Sequence, residues 1–283
     1  MKRILLPVDL SQQSQPPADY AVALAKSFDA KVYLFHSYFE RLYIAAGTFP
    51  ESLATQLVVD VQMISEIGAE AQKKLDLMAD DIAIRLGYPK EGNVFVKMEA
   101  GEPYAAILSY ASEINSDIII AGAKGHGLKN HFSGSIAQKL LNGSPVPVMA
   151  VPDGYAYNGF KSVFYPADLS NTIVEDLQNL IAFFRPYNSL IHCVHMQSGS
   201  DDFEIATLTD LKERFELEER EGLVKFHVCA CDTAVEKFNE FIIDYSVSLI
   251  AFHQHRSTFF SWLKNELSKR DFYKANIPLL SLP

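Results

Sequence analysis

Two stretches of this chain echo each other, and that repetition limits the fold more than any other feature of the sequence. Arg3-Ile-Leu-Leu-Pro-Val-Asp-Leu-Ser11 returns as Ser162-Val-Phe-Tyr-Pro-Ala-Asp-Leu-Ser170, with Pro, Asp, Leu and Ser in matching places. Each is a short apolar strand stopped by Pro-x-Asp-Leu-Ser. The ends of the two halves also agree. Pro145-Val-Pro147-Val-Met-Ala-Val151-Pro152 resembles Ile277-Pro278-Leu-Leu-Ser-Leu282-Pro283, each a proline-flanked apolar run that reads as a final strand. A chain of 283 residues suits two domains of about 100–200 residues each. The expected division is 1–152, a short linker at 153–160 rich in Gly and Asn, and 161–283.

Between the echoes, strand-like runs alternate with helical periodicity. Strands are expected at 32–36, 94–98 and 118–121 in the first half, and near 189–194, 224–229 and 248–252 in the second. Helices are expected at 17–28, where Ala21, Leu24, Ala25 and Phe28 share a face, at 52–86, long or broken, and at 103–114. In the second half they fall near 172–184, 204–221, 234–245 and 259–273. The order predicts an α/β fold, five strands per half in a parallel sheet with helices on both faces.

Composition narrows the function. A net charge of −10 repels a polyanion, so nucleic acid is disfavoured as a partner. No run approaches the roughly 18–20 apolar residues that span a bilayer, so no membrane partner is expected. Cys193, Cys229 and Cys231 are too few and odd in number for a disulfide scaffold, which suggests a reducing, cytoplasmic setting.

The segment with most chemistry is 118–141, an apolar strand, then Gly122-Ala-Lys124-Gly125-His-Gly127, then Gly134-Ser135 opening a helix. Glycines let backbone N–H groups approach phosphate oxygens, and a helix N-terminus favours negative charge. Spaced glycines also occur wherever a turn needs them, so on composition alone both readings stand. His126, Lys129 and His131 either contact an anion or sit in solvent.

Taken together, Pro-x-Asp-x-Ser, the Ala100-Gly101-Glu102-Pro103 turn, the glycine loop and the Pro-x-Pro-Val final strand resemble the universal stress protein family. The resemblance covers both halves, as two fused copies. It implies two tandem adenine-nucleotide α-hydrolase-like domains, each with a five-stranded parallel sheet. Nucleotide-binding members of the family hold ATP at the carboxyl edge of that sheet. By this resemblance Asp9 and Ser37 lie beside the nucleoside, and Gly122, Gly125, Gly134 and Ser135 line the phosphates, with Lys124 as an added cation. The expected ligand is ATP or AMP. Binding members usually place nine residues between the second and third of these glycines, whereas Gly125 and Gly134 enclose eight.

The second half departs further. His253-Gln-His255-Arg256 follows its fourth strand without glycine, and counting back from Pro278 sets Asn265-Glu266 where Gly134-Ser135 stands. A carboxylate there repels phosphate, so this copy is expected to be a structural half that pairs with the first as a pseudo-dimer. Its His195, Cys231 and His255 fall at like ends of neighbouring strands, a donor set that suits zinc, against the commoner reading of core His and small buried Cys. No nucleophile elbow, His-Glu-x-x-His or Walker loop is present, so a dedicated enzyme is not expected. Three readings remain: a nucleotide-binding stress-response protein acting through an unknown protein partner, an interaction module with a vestigial loop, and slow ATP hydrolysis with no visible general base. Whether two chains associate further, for instance through the final strands, is left open.

Overall fold

The computed structural model describes residues 1–10, 15–38, 54–123, 136–167, 169, 172–197, 202–230, 234–254 and 277–283. Its strands are β1 (Arg3–Pro7), β2 (Lys31–Tyr38), β3 (Val94–Ala100), β4 (Ile118–Ala123) and β5 (Val148–Pro152), followed by β6 (Ser162–Ala167), β7 (Leu190–Gln197), β8 (Val224–Ala230), β9 (Leu249–His253) and β10 (Leu279–Leu282). The described helices are α1 (Gln15–Phe28), α2 (Ala54–Leu86), α3 (Pro103–Glu113), α4 (Ile136–Gly143), α5 (Ile173–Phe184), α6 (Asp202–Arg214), α7 (Glu216–Arg220) and α8 (Ala234–Asp244). The helix expected at 259–273 lies outside the described residues.

All ten strands form one sheet in the order β3-β2-β1-β4-β5-β10-β9-β6-β7-β8. Within each half every pairing is parallel, and the halves meet where β5 and β10 run antiparallel. That joint is symmetric. Leu280 faces Met149, while Leu279 faces Ala150 and Ser281 faces Val148. In each half the first of these flanking residues, Val148 or Leu279, pairs on its other side with a buried isoleucine, Ile119 or Ile250. The relation is that of an isologous two-fold interface built inside one chain. The final strands, left open as a possible edge between chains, are therefore paired with each other.

Strand residues alternate between two apolar cores. On one face Ile4, Leu6, Val32, Leu34, Met149, Val163 and Leu280 pack with α1, α2 and α5. On the other, Leu5, Phe35, Ile119, Ala150, Phe164 and Leu279 pack with α3, α4 and α8. Both cores draw residues from both halves, so burial is continuous across the joint. In α1 the first turn carries Pro16 and Pro17, which lose no helical hydrogen bond there, and Ala21, Leu24 and Ala25 are buried as their spacing predicts. The single helix expected at 204–221 is two helices, because the chain turns at Phe215, whose ring is buried against the sheet.

The stretch expected to be a linker ends in a core residue, with Tyr155 and Tyr157 packed against the same core. Phe160 is 1% exposed, and its ring lies 5.5 Å from Tyr20, 5.4 Å from Phe184 and 4.9 Å from Tyr187. Tyr157 meets Tyr20 edge to face at 4.9 Å. Phe28 of α1 and Phe183 of α5 add a direct contact between halves at 5.6 Å. Aromatic groups from α1, the connection and α5 thus fasten the two copies on one face, while the β5–β10 ladder joins them in the sheet.

The repeat extends to backbone geometry. The six described non-glycine residues with positive φ fall into three pairs: Leu10 and Leu169, Asp29 and Asn188, Asn115 and Ser246. The last two pairs follow helices, where small polar residues tolerate the left-handed region. Leucine does not, and a bulky residue held there costs about 1–2 kcal/mol. Leu10 (φ 59°) and Leu169 (φ 53°) are held by packing against the same core.

Candidate functional site

Strand order alone creates a crevice. In the first half the chain runs β1 to β2 to β3 in one direction, then crosses back to place β4 on the other side of β1. The helices that follow β1 and β4, α1 and α4, pack on opposite faces of the sheet, and such a switch point is where open α/β sheets receive ligands.

Three of the expected site residues are described, and register puts them together. Pro7 pairs with Phe35 on the last rung of β1 with β2, and Asp9, exposed just past β1, and half-buried Ser37 on β2 each lie two residues beyond it. Leu5 pairs with Ile119, and continuing that register sets exposed Gly122 beside Val8. Lys124, Gly125, Gly134 and Ser135 lie outside the described residues, as do His126, Lys129 and His131. The strand before them and α4 after them are present, with α4 starting at Ile136.

The turn feeding α3 has a capping role. Glu102 is the N-cap of α3 and accepts a hydrogen bond from the Ala105 N–H at 2.9 Å, with Pro103 following it. That hydrogen bond, with the Tyr104 N–H and Lys139 at 3.5 Å, holds its carboxyl below the usual carboxylate range.

Two histidines occupy equivalent places at the strand tips, a relation the sequence reading missed. His36 on β2 bonds through Nδ1 to the carbonyl of Val8 at 2.8 Å, and His195 on β7 bonds through Nδ1 to the carbonyl of Ala167 at 3.1 Å. A carbonyl only accepts, so Nδ1 carries the proton in both. The signal was available, since each histidine follows its carbonyl by 28 positions.

Of the candidate metal set, His195 is buried with Nδ1 engaged as described, whereas Cys231 and His255 lie outside the described residues. The structure instead brings together His192 and His227, with Nδ1 of the first 3.0 Å from Nε2 of the second. Rings of Phe241 and Tyr245 surround them at 4.5–5.4 Å. Burial, then the neighbouring His227 and Lys225, push His192 down to about 4. Burial, then Lys225 and Lys212, push His227 down to about 4 as well. Cys193 is fully buried and its thiol is pushed up by burial, so it is not a reactive group.

The second half repeats the switch point between β6 and β9, but register places His253 where the first half has Gly122. A side chain there fills space that glycine leaves for a ligand's approach. Among the described residues, no helix is long and apolar enough to cross a membrane.

Comparison with known proteins follows the same outline. A model described as the universal stress protein family matches residues 1–152. A universal stress protein of Methanocaldococcus jannaschii is 28% identical over 151 residues, covering 53% of this chain and 81% of that one. One from Bacillus subtilis is 30% identical over 153 residues, covering 53% of this chain and 97% of its own length. A crystal structure of a universal stress protein from Archaeoglobus fulgidus superposes with a TM-score of 0.71 at 19% identity, over 99% of this chain and 95% of that one. This last likeness shows that the two-copy fold extends through the second half.

Proposed function

The chain belongs to the universal stress protein family, and from that premise we propose that its first half binds an adenine nucleotide, ATP or AMP, and acts through protein contacts. The observation that carries this reading is the switch-point crevice, where register gathers Asp9, Ser37 and Gly122 at the mouth of a glycine-rich sequence leading into α4. In that reading the nucleoside lies beside Asp9 and Ser37. The phosphates meet Lys124 and the backbone near Gly125, Gly134 and Ser135. The copy at 161–283, with His253 at the register of Gly122, is the non-binding partner of an intramolecular pseudo-dimer. We place the protein in the cytoplasm on the strength of its few cysteines.

A second reading has its own support. The eight residues between Gly125 and Gly134 are one fewer than binding relatives usually carry, which favours an interaction module with a vestigial loop. The deciding experiment releases and identifies any nucleotide carried by the purified protein, then repeats with Gly125→Val and Gly134→Val. ATP or AMP in the wild type and about tenfold less in the variants is the expected result. Nucleotide retained in both variants moves the site elsewhere. No nucleotide and no thermal shift on adding ATP or AMP favours the module. Phosphate release by the wild type, lost in the variants, supports hydrolysis.

A further inference from the structure

His36 lies one rung beyond the last backbone pairing of β1 with β2, which ends at Pro7 and Phe35. The strands part there, and the imidazole supplies the next hydrogen bond. Val8 still donates its N–H to the carbonyl of Phe35 at 2.8 Å, and its own carbonyl accepts from His36 Nδ1 at 2.8 Å. Both polar groups of Val8 are therefore turned toward β2. The described peptide bonds are trans, and in a trans peptide the N–H points opposite to the carbonyl. The amide N–H of Asp9 consequently points away from β2, toward β4 and the crevice. Directly after it Leu10 takes a left-handed backbone, with φ 59°.

From these relations we infer that His36 is a positioning residue for the first-half site. Its Nδ1–H clamps the Val8 carbonyl, and the clamp aims the Asp9 amide into the crevice as a donor for a ligand acceptor atom. The inference rests on the nucleotide reading for the ligand's identity, but not for the clamp. The second half provides an internal control, because His195 holds the Ala167 carbonyl in the same way at 3.1 Å while register places His253 where the first half has Gly122. Loss of that second clamp removes the same kind of hydrogen bond without touching the first crevice.

The test compares wild type, His36→Leu, His36→Asn and His195→Leu for ATP affinity by calorimetry and for Tm. Asparagine places an amide N–H close to the position of imidazole Nδ1–H, whereas leucine has no donor. His36→Leu is expected to weaken ATP about tenfold, and His36→Asn to return affinity to within about threefold of wild type. His195→Leu is expected to lower Tm about as much as His36→Leu with ATP affinity unchanged. Wild-type affinity in His36→Leu, equal loss in His36→Asn and His36→Leu, or equal loss in His195→Leu overturns the inference. If the wild type binds no ATP, the nucleotide reading fails by itself, and nitrogen-15 spectra of the ligand-free protein judge the clamp. A proton on His36 Nδ1, with an Asp9 amide signal that moves in His36→Leu and stays fixed in His195→Leu, sustains it. A bare Nδ1, or an unmoved Asp9 amide, refutes it.

Discussion

Acidification is expected to loosen the second half before the first, through the His192–His227 pair. Both imidazoles ordinarily titrate near 6.5, and both are pushed down to about 4 in the folded chain, mainly by burial. Their folded values lie below their unfolded ones. The unfolded chain therefore takes up protons that the folded chain refuses, and stability drains as pH falls from about 6.5 toward about 4. At about pH 5 the cost is about 2 kcal/mol for His192, which is 1% exposed. His227 is partly exposed and adds about half as much. A loss of about 3 kcal/mol is a large share of an ordinary folding stability. Among the described residues the first half has no equivalent pair, since register puts Lys97 at the rung of His227, and its ammonium lies 5.8 Å over the ring of Tyr110. The assay is urea unfolding followed by circular dichroism, for wild type and the double variant His192→Leu/His227→Leu, at about pH 7.5 and about pH 5. Wild type should lose about 3 kcal/mol more than the variant between the two. Equal losses would refute the assignment, because the acid sensitivity would then belong to other groups.

Two further substitutions probe the joint between the halves. Phe160→Ala removes the ring packed among Tyr20, Phe184 and Tyr187, and should cost about 3–5 kcal/mol in urea unfolding. A cost below about 1 kcal/mol would return residues 153–160 to the status of a passive connection. Tyr20→Phe should be neutral or stabilising by up to about 1 kcal/mol in Tm-based measurement, because the buried hydroxyl has no hydrogen-bond partner among the described residues. Marked destabilisation would show that the hydroxyl is satisfied in solution.

Much of the architecture is legible in the residues because it depends on short-range patterns. Pro-x-Asp-Leu-Ser stops β1, apolar runs mark β4 and β9, and the spacing of Ala21, Leu24 and Ala25 sets the buried face of α1. Asp9, Ser37 and Gly122 could be singled out as residue types, by motif and by resemblance. That Asp9 and Ser37 both follow the last β1–β2 rung, and that the register of β1 with β4 brings Gly122 alongside Val8 more than a hundred positions away, is set by strand pairing.

The features that escaped are those set by contacts between distant segments. Nothing local in Phe160 says that a turn-rich connection buries its ring between α1 and α5. Nothing local in His192 names His227, 35 positions away, as its partner rather than a metal. The chain's own order of residue types is enough to announce two copies of an α/β unit, because periodicity and strand-stopping turns are properties of neighbours. How the copies join, with β5 antiparallel to β10 about Met149 and Leu280, and where His36 directs the Asp9 amide, are properties of packing. Side-chain burial chooses among registers that the linear pattern leaves equivalent.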